Sequence, residues 1–456
     1  LLIPLGRWTT TILISFLRCT FWNFWKNTLP PEVISGMKIY LRKTLLYFGF
    51  FFAALAFVYS NVNRPFVVNG LFQNTYVTSN RVNWTSNYLN IGYVACLYLC
   101  SIFSINHFRK DIVSKLLVIG VAIMQICFIF WTMIGSSSAK TVDMLFNNST
   151  TPLAMLISAS VFIGYRDELW KSTKKIVFLL CTLFTVILLY ETVRFVLQYG
   201  LMIRLMTSAA VYAMVYAILL MYVNLLLNPE ALEKHPIMLF LQVFTLIVVA
   251  MVLQSRSWML HGVILLAIYV KAVSAASKSK HLVRALVILL IIAIVVCLWQ
   301  YLLLLSGSLL ARLNSDSRSQ QLIAFFSQVT VKDLLFGCGV DARYNCFGTS
   351  YAYLYNLILL TMFKFGTLPT LIYLLMMLRP IFYGLRRKKS QVRSSVLFFV
   401  AWLACMMGVS IYVANAYTVY NQVIYIVIGR MFYLMKTEKE SMRSNLPSNT
   451  MQHGDQ

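Results

Sequence analysis

Hydrophobic positions in this chain come in long runs rather than at period two, and the runs set the architecture. At about 20 apolar residues per membrane crossing, they predict helices near 44–60, 88–106, 116–134, 152–165, 176–193, 205–226, 237–253, 257–274, 283–305, 367–384, 395–413 and 418–435. Twelve crossings put both termini on one side. The run at 152–165 is short for a crossing and must extend into its polar flanks. Residues Tyr351 to Phe363 are apolar enough to count as another crossing, yet counting them would turn every later loop over. They are read as a short interfacial or re-entrant helix, which membrane depth permits where protein covers the backbone. The expected fold is all-α: a polytopic membrane protein of about 12 transmembrane helices with one large late loop, residues 306–366, that contains short helices.

Composition agrees with this reading. The 456 residues are 60% hydrophobic and 12% charged, with a mean hydropathy of +0.75, whereas a soluble domain is roughly 45–50% apolar. A net charge of +25 would suggest nucleic acid in a soluble chain, but no basic soluble domain exists to carry that function. Lysine and arginine that hold loops in the cytoplasm account for the excess. With the N-terminus inside, the cytoplasmic set is Arg42 and Lys43, Arg109, Lys110 and Lys115, Arg166 with Lys171, Lys174 and Lys175, Lys271 through Arg284, the RRKK run at 386–389, and the tail. The opposite orientation exposes RRKK outside, against the positive-inside rule.

The ends read differently. The apolar run within residues 1–36 is broken by Arg18, Asn23 and Lys26, so these residues are expected to be an upstream extension or an interfacial arm, and Met37 begins the membrane domain that runs to 436. Residues 437–456 are polar and expected to be a disordered cytoplasmic tail.

Chemistry concentrates in the late loop. It holds Arg312, Arg318 and Arg343, the acids Asp316 and Asp341, an amphipathic run with Leu322, Phe325 and Phe326 at i, i+3 and i+4, a Gly-Cys-Gly turn at 337–339, and two cysteines. Sorting basic residues from Lys38 onward by this topology gives fifteen lysines and ten arginines inside, against three lysines and eight arginines outside. Any cation serves for retention, but a planar guanidinium is favoured where carboxylate or phosphate oxygens are gripped in pairs. The outer set, which includes Arg204 and Arg256, therefore reads as an anion site. The plainer reading is that each arginine reaches lipid headgroups or pairs with Asp316, Asp333, Asp341 or Glu191. Arg256 carries the most weight, because it sits in a turn between two apolar runs.

Cys338 and Cys346 both fall in the loop, while the other seven cysteines lie in apolar runs or in residues 1–36. In an oxidising compartment this pair is expected to form a disulfide; the alternative is two thiols, one packed under the loop helix. No nucleotide-binding glycine pattern is present, and the five histidines, His107, His235, His261, His281 and His453, show no zinc spacing. A mechanism without metal or other cofactor follows as the expectation.

The order of these residues resembles the Wzy O-antigen polymerases and their relatives, the O-antigen ligases. Arg204 precedes a span, Ser-Arg256-Ser ends another, and the late loop carries Arg318 and Leu-Phe-Gly-Cys-Gly at 335–339. Tyr355-Asn356 and Gly366 then lead into the next span. The resemblance covers roughly Arg194 to Arg387. It implies a metal-independent inverting glycosyltransferase at the periplasmic face of a bacterial inner membrane. Its donor would be an undecaprenyl-diphosphate-linked oligosaccharide and its partner a chain-length regulator protein. Arg204, Arg256 and Arg318 would hold the diphosphate, with Arg312 and Arg343 beside them. Tyr355 and Asn356 stand on the acceptor side, where ligases carry histidine-asparagine. For the base that takes the acceptor proton, Asp341 is the first candidate. Asp316 is the second, since flanking arginines would depress its pKa and weaken it. Ligase and lipid-linked-oligosaccharide flippase are the alternative functions.

Overall fold

The computed structural model describes residues 31–62, 66–68, 84–105, 112–134, 157–200, 205–207, 209–253, 255–276, 317–339, 342–346, 348–351, 354, 356–387, 390–404 and 419–444. The predicted crossing at 283–305 lies outside them. The protein is mostly helical, and four described helices are long and apolar enough to cross a membrane. These are the membrane part of α1 (Pro31–Asn61), α5 (Asp167–Tyr199), α6 (Ala209–Leu227) and α13 (Thr367–Arg386). Shorter apolar stretches accompany them: Tyr88–Ser104 of α2 (Trp84–Ser104), Lys115–Trp131 of α3 (Ile112–Ile134), α8 (Pro236–Val252), Ser257–Val273 of α9 (Arg256–Ala276) and α14 (Arg393–Ala404). The remaining long helix is α15 (Val419–Ser444), and a six-residue helix, α7 (Pro229–Lys234), joins α6 to α8.

Helix α6 is the axis of the bundle. Its sequence, AAVYAMVYAILLMYVNLLL, has no charged residue on any face, and a helix apolar all round is stable only when surrounded. It packs against α5, α8, α9, α14 and α15, and almost all its residues are buried. Tyr216 shows how the wall is made: its ring stacks on Phe184 of α5 and meets Phe57 of α1 edge-on at 5.2 Å.

The described part of the predicted crossing at 152–165 holds a 3₁₀ turn, Ile157–Ser160, followed by α4 (Val161–Gly164). Both pieces are buried, and the backbone contact with α15 is very close. A Cβ on Gly164 would lie 2.8 Å from the Arg430 nitrogen, and one on Gly429 would lie 2.7 Å from the Val161 carbonyl carbon. Two glycines let these backbones touch, as small residues do where membrane helices cross.

Two boundaries move. Helix α1 begins at Pro31, so the predicted division after residue 36 falls inside a helix. The tail predicted to be disordered from 437 is helical to Ser444. The cause is local and tertiary: Lys436 pairs with Glu440 at i+4, and Glu438 accepts hydrogen bonds from the Ser390 hydroxyl and the Gln391 backbone N–H.

Charge divides the bundle into two ends. Arg430 of α15 reaches Asp167 at 2.9 Å, Arg42 and Arg166 share Glu168 at 3.7 and 3.9 Å, and Lys174 pairs with Glu230 of α7. The residues read as the retention set thus converge at one end of α1, α5 and α15. At the other end, the ring of Phe128 in the later half of α3 meets Phe365 of the late loop edge-on at 4.7 Å.

Candidate functional site

The described part of the late loop is a small module with its own core. It comprises α10 (Ser317–Phe326), α11 (Val331–Phe336), the hairpin β1–β2 (Tyr344–Cys346 and Thr349–Tyr351) and α12 (Leu357–Phe365). Helix α12 is nine residues long, about 14 Å at 1.5 Å per residue, too short to cross a hydrocarbon core of about 30 Å. Phe325 is fully buried at the centre, with its ring edge-on to Tyr344 and to Phe363, each at 5.2 Å. Burying such a ring stabilises by about 1.5–3 kcal/mol. Val329, Cys346, Leu354 and Leu360 complete the core, and Leu322 packs against it. Phe326, the third member of the predicted stripe, is exposed instead. A ten-residue helix against a small core buries a narrow stripe, and a residue adjacent in sequence to Phe325 turns out of it.

Polar groups fix the module's parts in register. The side-chain amide of Gln328 donates to the Asn345 carbonyl at 2.7 Å and accepts from the Asn345 N–H at 2.8 Å, so it serves the hairpin edge as a neighbouring strand would. Thr330 and Asp333 form a reciprocal cap on α11: the Asp333 N–H donates to the Thr330 hydroxyl oxygen, and the Thr330 N–H donates to the Asp333 carboxylate. The Thr330 hydroxyl and backbone N–H hold the Asp333 carboxyl below its ordinary pKa. Its charge serves the cap, and no arginine among the described residues pairs with it.

Two glycines lock the module to the bundle. Helix α11 ends at Gly337 (φ 81°, ψ 154°) and α12 ends at Gly366 (φ 87°, ψ 174°), backbone conformations open essentially to glycine alone. The two ends cross face to face. Cys338 donates its N–H to the Phe363 carbonyl at 2.7 Å, Gly339 donates to Lys364 at 3.0 Å, and the Thr367 hydroxyl at the start of α13 donates to Leu334 at 3.0 Å.

Cys338 and Cys346 are not joined, which corrects the expected disulfide. Alternation along the first hairpin strand turns Cys346 into the module core. Cys338 lies on the glycine crossing, its backbone tied to α12. Although exposed by area, its thiol has lost part of its water and faces Asp333, which together push its pKa up to about 11.

The predicted site residues are placed as follows. Arg256 heads α9, and Arg318 is the second residue of α10. Arg343 is exposed beside the hairpin. Asn356 caps α12, accepting from the Leu359 N–H at 3.1 Å. Arg204, Arg312, Asp316, Asp341 and Tyr355 lie outside the described residues. Arg194 has the partner that the plainer reading allowed: Glu191 at 2.7 Å on the same helix, with the Phe66 ring 4.2 Å away. Glu191 is fully buried, a position that spacing alone did not reveal, although an acid three residues before an arginine is a helix-face pair. His261 is a buried bundle residue bonded to the Tyr222 hydroxyl at 3.0 Å. Comparison of the chain with family models, curated proteins and solved structures gives no match.

Proposed function

We propose that this protein is a glycosyltransferase that polymerises undecaprenyl-diphosphate-linked O-antigen repeat units at the periplasmic face of the bacterial inner membrane. The observation that carries the proposal is the late module: a separately cored unit, fastened by the Gly337–Gly366 crossing to the start of α13, whose other end holds Arg379 and Arg386. Because lysine and arginine are retained in the cytoplasm, that polarity favours a periplasmic module within a bundle of about twelve crossings. Its chemistry suits transfer from a lipid diphosphate. Arg256 and Arg318 each stand at the first turn of a helix, where helix dipole and guanidinium both favour an anion.

In a single displacement the acceptor hydroxyl oxygen bonds to the anomeric carbon as the bond from that carbon to the diphosphate oxygen breaks. The lipid diphosphate departs with the electron pair, and the hydroxyl proton passes to a carboxylate, for which Asp341 is the first candidate and Asp316 the alternative. Fixed guanidiniums in a low-dielectric site stabilise the charge developing on the leaving group. Deleting the gene and running lipopolysaccharide on a gel tests the reading. A core carrying one repeat unit is the expected result; a bare core would overturn polymerisation in favour of ligase or flippase.

A further inference from the structure

At the basic end, α13 and α15 enclose a crevice of 510 Å³ that the proposed transfer reaction does not use. Arg379, Arg386, Arg387 and Lys439 line it, and none of the described residues lining it is acidic. The acids nearest in sequence have other partners: Glu438 bonds Ser390 and Gln391 and approaches the Tyr383 hydroxyl at the edge of the crevice, and Glu440 pairs with Lys436. Arg379 lies over the Phe432 ring at 5.5 Å and Arg387 over Tyr383 at 5.1 Å, so both guanidiniums are held by aromatic faces rather than by carboxylates. The remaining wall is formed by Leu375, Leu378, Phe382 and Met435, all apolar, with Tyr383 beside them. These residues are ordered along the helices. Leu375, Phe382 and Arg386 recur at turn spacing along α13, and Met435 and Lys439 are one turn apart on α15, so Leu375, Leu378 and Met435 lie toward the middle of the bundle, Arg386, Arg387 and Lys439 toward the helix ends, and Arg379 between the two. Leu371, Leu375, Phe382 and Leu385 are exposed on α13, a lipid-facing surface for a helix that crosses the membrane.

We propose that this crevice is a binding site for an anionic glycerophospholipid, its phosphate gripped by the four cations and an acyl chain lying along the apolar wall. Four cations with no acid among the described lining residues form a charge vacancy at headgroup depth, and the apolar wall beside it fits a lipid rather than a free ion. Basic pockets between helices at a membrane face recognise anionic headgroups in this way. The site does not depend on the glycosyltransferase reading.

The test uses the full-length protein, purified and reconstituted in nanodiscs of phosphatidylcholine alone or with added phosphatidylglycerol. Phosphatidylglycerol is expected to raise the thermal midpoint and to be retained on the protein in native mass spectrometry, both less so at high salt. Each cation replaced by glutamine should weaken retention by about fivefold. Lys439→Gln is the first variant, because Lys439 is exposed and its loss does not disturb the bundle; the Arg379→Gln, Arg387→Gln, Lys439→Gln combination should abolish the shift. Inorganic phosphate should give no shift. Equal retention by wild type and Lys439→Gln would overturn the proposal, and so would full stabilisation by inorganic phosphate, which would mean that the apolar wall holds nothing.

Discussion

Replacing Gly337 or Gly366 by alanine is expected to release the late module from the bundle. Two costs add at each position. With φ 81° and ψ 154° at Gly337 and φ 87° and ψ 174° at Gly366, any side chain imposes backbone strain of about 1–3 kcal/mol. In addition, a Cβ on Gly337 would lie 2.7 Å from the Gly366 nitrogen and 2.8 Å from the Phe365 carbonyl carbon, and one on Gly366 would lie 2.9 Å from the Leu335 oxygen. Favourable carbon contacts begin near 3.5 Å, so the two helix ends must part by roughly 0.6–0.8 Å. Such overpacking costs about 1–3 kcal/mol, and the parting stretches the Cys338 and Gly339 hydrogen bonds to α12. The sum is about 2–6 kcal/mol. Gly348 is the internal control: its φ is 73°, but a Cβ there meets nothing within 4 Å, so Gly348→Ala carries strain alone, about 1–2 kcal/mol. Thermal unfolding of the detergent-solubilised protein, with limited proteolysis of the loop, should rank Gly337→Ala and Gly366→Ala well below Gly348→Ala and wild type. If Gly337→Ala melts with Gly348→Ala and its loop stays resistant, the crossing does not hold the module and the reasoning fails.

Cys338 should alkylate about 100-fold more slowly at pH 8 than an ordinary thiol, because a pKa of about 11 leaves little thiolate. Both cysteines of the loop should be recovered as thiols from membranes prepared without reductant, and Asp333→Asn should speed Cys338 labelling, partial desolvation remaining; a fast wild-type rate would contradict this. The Asp333 carboxyl has a lowered folded pKa, so its contribution to the α11 cap is present above the ordinary carboxylate range and is lost as pH falls through the lowered value. Thr330→Ala, expected to cost about 1 kcal/mol, should flatten that acid dependence in thermal melts. Arg256→Ala and Arg318→Ala should abolish long-chain polymer on a lipopolysaccharide gel with the protein still in the membrane. Lysine should rescue poorly, since an ammonium cannot grip two oxygens at once; full activity in both lysine variants would remove the paired grip.

The four long described helices were legible because apolar runs of about twenty residues have few alternative fates, and it was loop charge, with RRKK kept inside, that set Tyr351 to Phe363 apart from the crossings. Helix α12 is the outcome. What local pattern could not encode is which short pieces meet. Gly337 was visible in a turn and Gly366 as a glycine before the next span, but their contact joins two ends of the module that are distant in sequence. The disulfide expectation failed for the same reason: compartment and elimination say nothing about the strand alternation that turns Cys346 inward. The helical tail depends on Glu438 reaching Ser390, a partner forty-eight positions away. Of the candidate site, the sequence supplied residue types and order, whereas convergence is a tertiary property.

The basic end shows what else arginine does in this protein. There, where retention requires only positive sign, arginine still appears at packed positions: Arg430 on Asp167, Arg42 and Arg166 on Glu168. Guanidiniums are thus chosen in this protein for structural ion pairs as well as for anions, and an outer arginine counts toward a diphosphate site only if no structural partner accounts for it. Arg194 fails that condition, since Glu191 and the Phe66 ring hold it. Arg194→Gln takes the ion partner from a fully buried carboxylate, a loss on the order of 3 kcal/mol. It should therefore lower the thermal midpoint and the amount of protein in the membrane, with polymer falling only in proportion to protein. Arg256→Ala and Arg318→Ala should do the reverse, losing polymer at constant protein. If Arg194→Gln abolished polymer at full protein level, Arg194 would join the anion site and its pairing with Glu191 would be a feature of the substrate-free state.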